Sequence, residues 1–158
     1  MIECDIQNPN NFTTVPDVLE IQQWVDEAVQ TPDANLTLVI RFVDEIEGRE
    51  LNKSYRKKDY ATNVLSFSYE ADDFGIPELL DQAQHIGDLI LCESVIKKEA
   101  NQQNKTLLQH WAHMIIHGVL HLQGYDHLND DEANKMESLE ISILEKLGFN
   151  NPYQQSYV

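Results

Sequence analysis

The chain has 158 residues and sets 11 Lys and Arg against 27 Asp and Glu, for a formal net charge of −16. That length suits one domain over residues 1–158, able to bury roughly 70% of the surface exposed by the unfolded chain. Hydrophobic residues at 42% exclude wholesale disorder, and so acidic a balance excludes a general nucleic-acid coat. No apolar run approaches the ~18 residues of a membrane span, and Met1-Ile2-Glu3-Cys4-Asp5 lacks the basic stretch of a leader. Two cysteines, Cys4 and Cys92, make no disulfide framework. A soluble, unexported protein of the reducing cytoplasm is expected.

Ile2 to Ile6 alternates apolar and polar residues with period two and predicts a short strand. Pro16 opens a helical pattern with Val18, Ile21, Val25, Ala28 and Val29 on one face, stopped by Thr31-Pro32-Asp33. Leu36 to Val43 (LTLVIRFV) predicts a strand buried on both faces. Asp44 can cap a polar helix running toward Arg56, with Ile46, Leu51 and Tyr55 as a thin apolar stripe. Asn63 to Tyr69 and Ile86 to Cys92 give two more strands, separated by an acidic loop over 70–84.

Ser94 can cap a helix to about Asn104, and Leu107 to Gln123 predicts a second, much more apolar one. Asn129 and Glu132, at capping-box spacing, open a third with Ala133, Met136, Ile143, Leu144 and Leu147 inward and Gly148 as its stop. The order β-α-β-α-β-β-α-α-α is that of an α+β domain. Within it, the strands flanking the helix of Leu36–Tyr69 are expected to pair in parallel through a right-handed crossover.

The charge is unevenly spread. Residues 49 to 58 (RELNKSYRKK) carry five basic side chains and one acidic, whereas residues 70 to 88 carry six acidic and none basic.

Five of the six histidines lie in HWAHMIIHGVLHLQGYDH, between His110 and His127. On a helix, His110, His113, His117 and His121 share an arc of about 80°, with Leu108, Trp111, Ala112, Ile115 and Val119 on the other side. His117 and His121 are one turn apart, so both imidazoles can reach one ion at the ~2.0–2.1 Å of Zn–N bonds. Gly124 can turn the chain back and bring His127 round as a third ligand. Three neutral imidazoles leave a fourth tetrahedral position open, the arrangement of a catalytic zinc. Asp126 is a candidate for orienting a ligand. His110 and His113 read as packing or supporting residues, with His113 reaching past the ion.

The spacing HxxxHxxGxxH matches the metzincin protease pattern except at one position. Where those enzymes carry the Glu that takes a proton from water, this chain has Gly118. That argues against a metalloprotease.

HGVLHLQGYDH resembles the signature of the YbeY family of bacterial metal-dependent endoribonucleases. YRKKDYATNVLSFSY resembles that family's Arg-x-x-Asp…Thr-Asn/Asp-Val-Leu-Ser-Phe stretch, and His85-Ile86-Gly87-Asp88 its Gly-Asp strand opening. Ala61 departs from the Pro found there in many members. The resemblance implies a mixed, mostly four-stranded sheet packed with about five helices, and a cleft holding one Zn2+ at His117, His121 and His127. It also implies a functional Arg56, and a role in maturing the 3′ end of small-subunit ribosomal RNA and in ribosome quality control. Its partners would be single-stranded ribosomal RNA and the small subunit, with no membrane, and the chain is expected to be a monomer.

The chemistry fits phosphodiester hydrolysis. Zinc can lower the pKa of water or act as Lewis acid, and Arg56 can fork onto phosphate oxygens, with Lys53, Lys57 and Lys58 beside it steering the RNA. His117 and Arg56 are thus the catalytic candidates. Asp88 reads equally as a holder of a site residue or as a strand-end polar group, and no residue announces itself as general base. A metal-stabilised ribosome assembly factor with little catalysis is the alternative from another class.

Overall fold

The computed structural model describes residues 1–31, 34–68 and 84–153. Its elements are β1 (Ile2–Gln7), α1 (Val18–Ala28), β2 (Leu36–Val43), α2 (Glu45–Arg56), β3 (Val64–Ser68), β4 (Gln84–Cys92), α3 (Glu93–Gln102), α4 (Leu107–Leu122) and α5 (Asp130–Lys146). This is an α+β fold with one mixed four-stranded sheet and five helices among the described residues. The acidic stretch 70–83, Tyr69 and Pro32-Asp33 lie outside them. None of the described helices is long and apolar enough to cross a membrane.

The strand order is β1-β2-β4-β3, with β1 parallel to β2, β2 parallel to β4, and β3 antiparallel to β4. The expected parallel pairing of β2 with β3 is therefore wrong. β4 lies between them, and the parallel crossover unit is β1-α1-β2 instead. Burial explains the order: β4 buries Ile86, Leu89, Leu91 and Cys92 and can sit inside the sheet, whereas β3 buries only Leu65 and carries Ser66 and Ser68. The more polar strand takes the edge. β2 is fully buried at Leu36, Leu38, Ile40 and Phe42 but half-buried at Thr37, Val39 and Arg41, so burial is complete on one face only.

Three local expectations also change. Val18 is exposed and Trp24 takes the inward place on α1 with Ile21, Val25 and Ala28. On α2, Ile46 and Tyr55 face solvent, and the buried residues are Gly48 and Asn52. A Cβ at Gly48 would sit 3.5 Å from Cys92, so the helix lies close to the sheet end there. Asn52 is held by its side-chain bond to the Tyr60 carbonyl at 2.7 Å. α3 starts directly from β4 at Glu93, leaving Ser94 inside the helix and Cys92 at the cap position, where its thiol meets Ser94 Oγ at 3.5 Å and makes no capping bond to the backbone.

The other helix ends follow their sequence signals. Asp44 Oδ1 accepts from Glu47 N and Asn129 Oδ1 from Glu132 N, both at 2.8 Å. Thr106 and Gln109 form a reciprocal capping box that starts α4.

α4 is the centre of the fold, packed against α1, α3, α5, β3 and β4, and eleven of its 16 residues are buried. Burying each of Ile115, Ile116 and Leu120 contributes about 1.5–3 kcal/mol. Trp111 packs edge-on to Phe42 at 5.2 Å and donates its indole N–H to the Thr14 carbonyl at 2.9 Å. Leu108, in the first turn, is the one residue of the expected apolar back that stays exposed. A helix anchored this firmly holds its histidines still.

Candidate metal centre and cleft

α4 ends in a Schellman turn: Gly124 N donates to His121 O at 3.0 Å and Tyr125 N to Leu120 O at 3.2 Å. Gly124 takes φ +97°, a conformation that a side chain would strain. The turn returns the chain over the helix end, where Asp126 Oδ1 accepts the backbone N–H of His127 at 2.8 Å. Asp126 thus braces the turn itself through this bond rather than an imidazole ring.

His117, His121 and His127 are brought together as the spacing predicts. One nitrogen from each lies within 4.8 Å of the others, and His117 Nε2 is 3.0 Å from His121 Nε2. Ligand atoms of a tetrahedral ion with ~2.0–2.1 Å bonds lie roughly 3.3 Å apart, so this spacing needs little change to accept one. Burial and the nearby His117 and His127 push the pKa of His121 down, which favours the neutral form that a metal ligand requires.

Behind this trio lies a residue that sequence reasoning missed. Glu140 on α5 is fully buried, and its carboxylate meets His117 Nδ1 through Oε1 and both His113 Nε2 (3.1 Å) and the Tyr153 hydroxyl through Oε2. Burial pushes the Glu140 carboxyl up, but hydrogen bonds from His113 and His117 win and hold it down at about 2. A carboxylate accepts only, so His117 donates from Nδ1, and in the neutral ring this leaves Nε2 bare toward His121. A signal existed in the sequence: Glu140 falls on the same face of α5 as Met136, Ile143 and Leu144, where a lone carboxylate has no place in ordinary packing.

His113, His117 and Glu140 form a second donor group close enough to hold a metal ion. The two groups share His117 and differ in access. His113 and Glu140 are buried and their facing atoms already bond one another, whereas His117, His121 and His127 are half-buried or exposed and line an open cleft. His110 belongs to neither group: its Nε2 meets Glu99 Oε1 at 2.9 Å, and Asn63 Nδ2 donates to the same carboxylate. Asp88 Oδ1 bonds His85 Nε2 at 2.9 Å, and His85 Nδ1 meets Thr37 Oγ1 at 2.9 Å, on the strands and outside the cleft lining.

The cleft, about 620 Å³, is also lined by Arg56, Lys58 and Tyr60. Arg56 ends α2, donates one Nη to the Ser66 carbonyl at 2.7 Å and lies over the Phe67 ring at 5.4 Å. Lys53 and Lys57 are not among the cleft's described lining residues, and Lys57 instead closes α2 at φ +58°. Of the expected basic groove, Arg56 and Lys58 remain.

The family described as Endoribonuclease YbeY matches residues 5–148, which take in all three histidines and Arg56. The chain belongs to the YbeY family. A relative named endoribonuclease YbeY in Pseudomonas putida strain F1 is 49% identical over 153 residues, covering 97% of this chain and 94% of its own. One of the same name in Colwellia psychrerythraea is 49% identical, covering 94% and 95%. A Thermotoga maritima protein solved in solution shares the fold at a TM-score of 0.58 and 22% identity, over 94% of this chain and 92% of its own. Glu140 lies inside the YbeY match, whereas Tyr153 lies beyond it.

Proposed function

We propose that this chain is a zinc-dependent endoribonuclease, with one Zn2+ per chain, that cuts single-stranded RNA in the 3′-end maturation of small-subunit ribosomal RNA and in ribosome quality control. It works as a single domain and a monomer in the cytoplasm, with ribosomal RNA and the small subunit as partners. The observation that carries this reading is the convergence of His117, His121 and His127 in a cleft also lined by Arg56. The name shared by the relatives supports RNA as substrate.

When bound, the ion would supply Lewis-acid stabilisation of a phosphate oxygen and a more acidic water. His117, His121 and His127 would hold it. One Arg56 Nη is engaged by Ser66, and its remaining N–H groups are donors for the oxygens of the scissile phosphate. Lys58 adds positive charge in a chain that otherwise repels RNA. Tyr60 is 54% exposed in the same lining and offers a ring for a base to stack on, which favours a single strand over a duplex.

One observation favours the assembly-factor reading. Asp126 is the sole carboxylate among the cleft's described lining residues, and one of its oxygens is committed to the His127 N–H. The test is incubation of zinc-loaded protein with a labelled single-stranded RNA and, separately, with casein. RNA cleavage lost in His117→Ala is expected. Casein cleavage would overturn the proposal in favour of a protease, and inactivity on both would favour the assembly factor.

A further inference from the structure

Glu140 is an expensive residue to keep. It has no exposed surface, and its ion pairs among the described residues are with His113 and His117 alone. Burying a carboxylate carries a heavy desolvation penalty, and an apolar residue of similar volume often serves stability as well or better. Its neighbours on α5, Met136, Ile143 and Leu144, are of that apolar kind. What the carboxylate provides instead is direction. Oε1 receives His117 Nδ1–H, which leaves Nε2 as the bare nitrogen turned toward His121 and His127.

Oε2 is held from the other side. His113 Nε2 and the Tyr153 hydroxyl both reach it, and the Tyr153 ring lies edge-on to the His113 ring at 5.3 Å. His113 Nδ1 is buried without a hydrogen-bond partner among the described residues, as expected for a neutral ring whose only proton is on Nε2. Three donors thus engage both oxygens of one carboxylate. An ion shared by His113, His117 and Glu140 would have to displace those hydrogen bonds, so the group acts as an anchor.

We propose that Glu140 is the positioning residue of the metal centre, fixing the His117 tautomer and ring orientation, and that Tyr153 locks the carboxylate that does so. The segment after α5 is thereby joined to a ligand on α4. This rests on the reading of His117 as a zinc ligand, and the experiment separates the two.

The full chain is compared with Glu140→Gln and Tyr153→Phe. Imidazole 15N shifts are recorded without metal, and Zn2+ affinity is measured by competition with a chromophoric chelator. In the wild type, His117 should be protonated on Nδ1. Glu140→Gln should perturb that tautomer and weaken Zn2+ binding about 10–100-fold, as loss of a group that orients a ligand does. Tyr153→Phe should weaken it several-fold and shift the His117 signals. Unchanged His117 shifts and unchanged affinity in Glu140→Gln, even with a lowered melting temperature, would overturn the proposal. If Glu140→Gln fails to fold, Tyr153→Phe decides, and wild-type shifts with wild-type affinity would overturn it. A wild type that binds no Zn2+ would sink the functional reading, and the metal-free tautomer would still decide the role of Glu140.

Discussion

Gly118 backs directly onto Leu89: a Cβ built on it would meet Leu89 Cδ2 at 2.7 Å and Cδ1 at 3.1 Å. Position 118 therefore faces β4 and the core, while His117, one residue earlier, faces the cleft. This explains the missing protease base in physical terms, since a glutamate here would drive its carboxylate into apolar packing. Gly118→Ala should destabilise the fold by about 1–2 kcal/mol, because the fully buried Leu89 must shift, a cost that the roughly 1 kcal/mol gain in helix propensity offsets only in part. Urea unfolding measures this, and a neutral result would show that the core yields.

His121→Ala should release the metal while the chain stays folded. Its ring is half-buried at the end of a helix whose stability comes from apolar contacts. Elemental analysis should fall from about one Zn2+ per chain to none, with helical circular dichroism retained. Full occupancy in the variant would remove His121 from the site.

Arg56→Lys keeps the charge but loses the planar fork and its hold on the Ser66 carbonyl. RNA cleavage should fall at least tenfold with zinc content unchanged. Cleavage at the wild-type rate by this variant and by Arg56→Ala would separate the arginine from the chemistry.

Glu99 offers a test by pH. Burial pushes its carboxyl up, but hydrogen bonds from His110 and Asn63 prevail, and its pKa lies below the ordinary 4.5. A depressed carboxyl stabilises the fold above its unfolded pKa and loses that contribution as pH falls through the folded value. The stability gap between wild type and Glu99→Gln should therefore shrink as pH falls below the ordinary 4.5. A gap that widens toward acid would reverse the assignment.

The convergence of His117, His121 and His127 was legible because its geometry is local: a helical spacing of four and a glycine turn suffice to bring three rings together. Capping by Asp44 and Asn129 was legible for the same reason. The position of β4 between β2 and β3 was not, because strand order depends on which segment best fills an interior slot after collapse. The α2 face was misread because close approach at Gly48 and the bond from Asn52 to Tyr60, not hydrophobicity, decide how that helix sits. Glu140 was visible as a polar residue on an apolar face, but its histidine partners are 23 and 27 residues away on another helix. The sequence showed the anomaly without its cause.

The bond from Arg56 to Ser66 has a consequence for solubility. β3 is last in the strand order, with no strand beyond it among the described residues, and its outward backbone groups form a template for another chain. The guanidinium occupies one of those carbonyls and places a positive charge on the rim. Arg56→Ala bares that carbonyl, so the variant should self-associate edge to edge more readily than the parent. Sedimentation of Arg56→Ala should accordingly accompany its nuclease assay, since edge-to-edge association would by itself lower the rate.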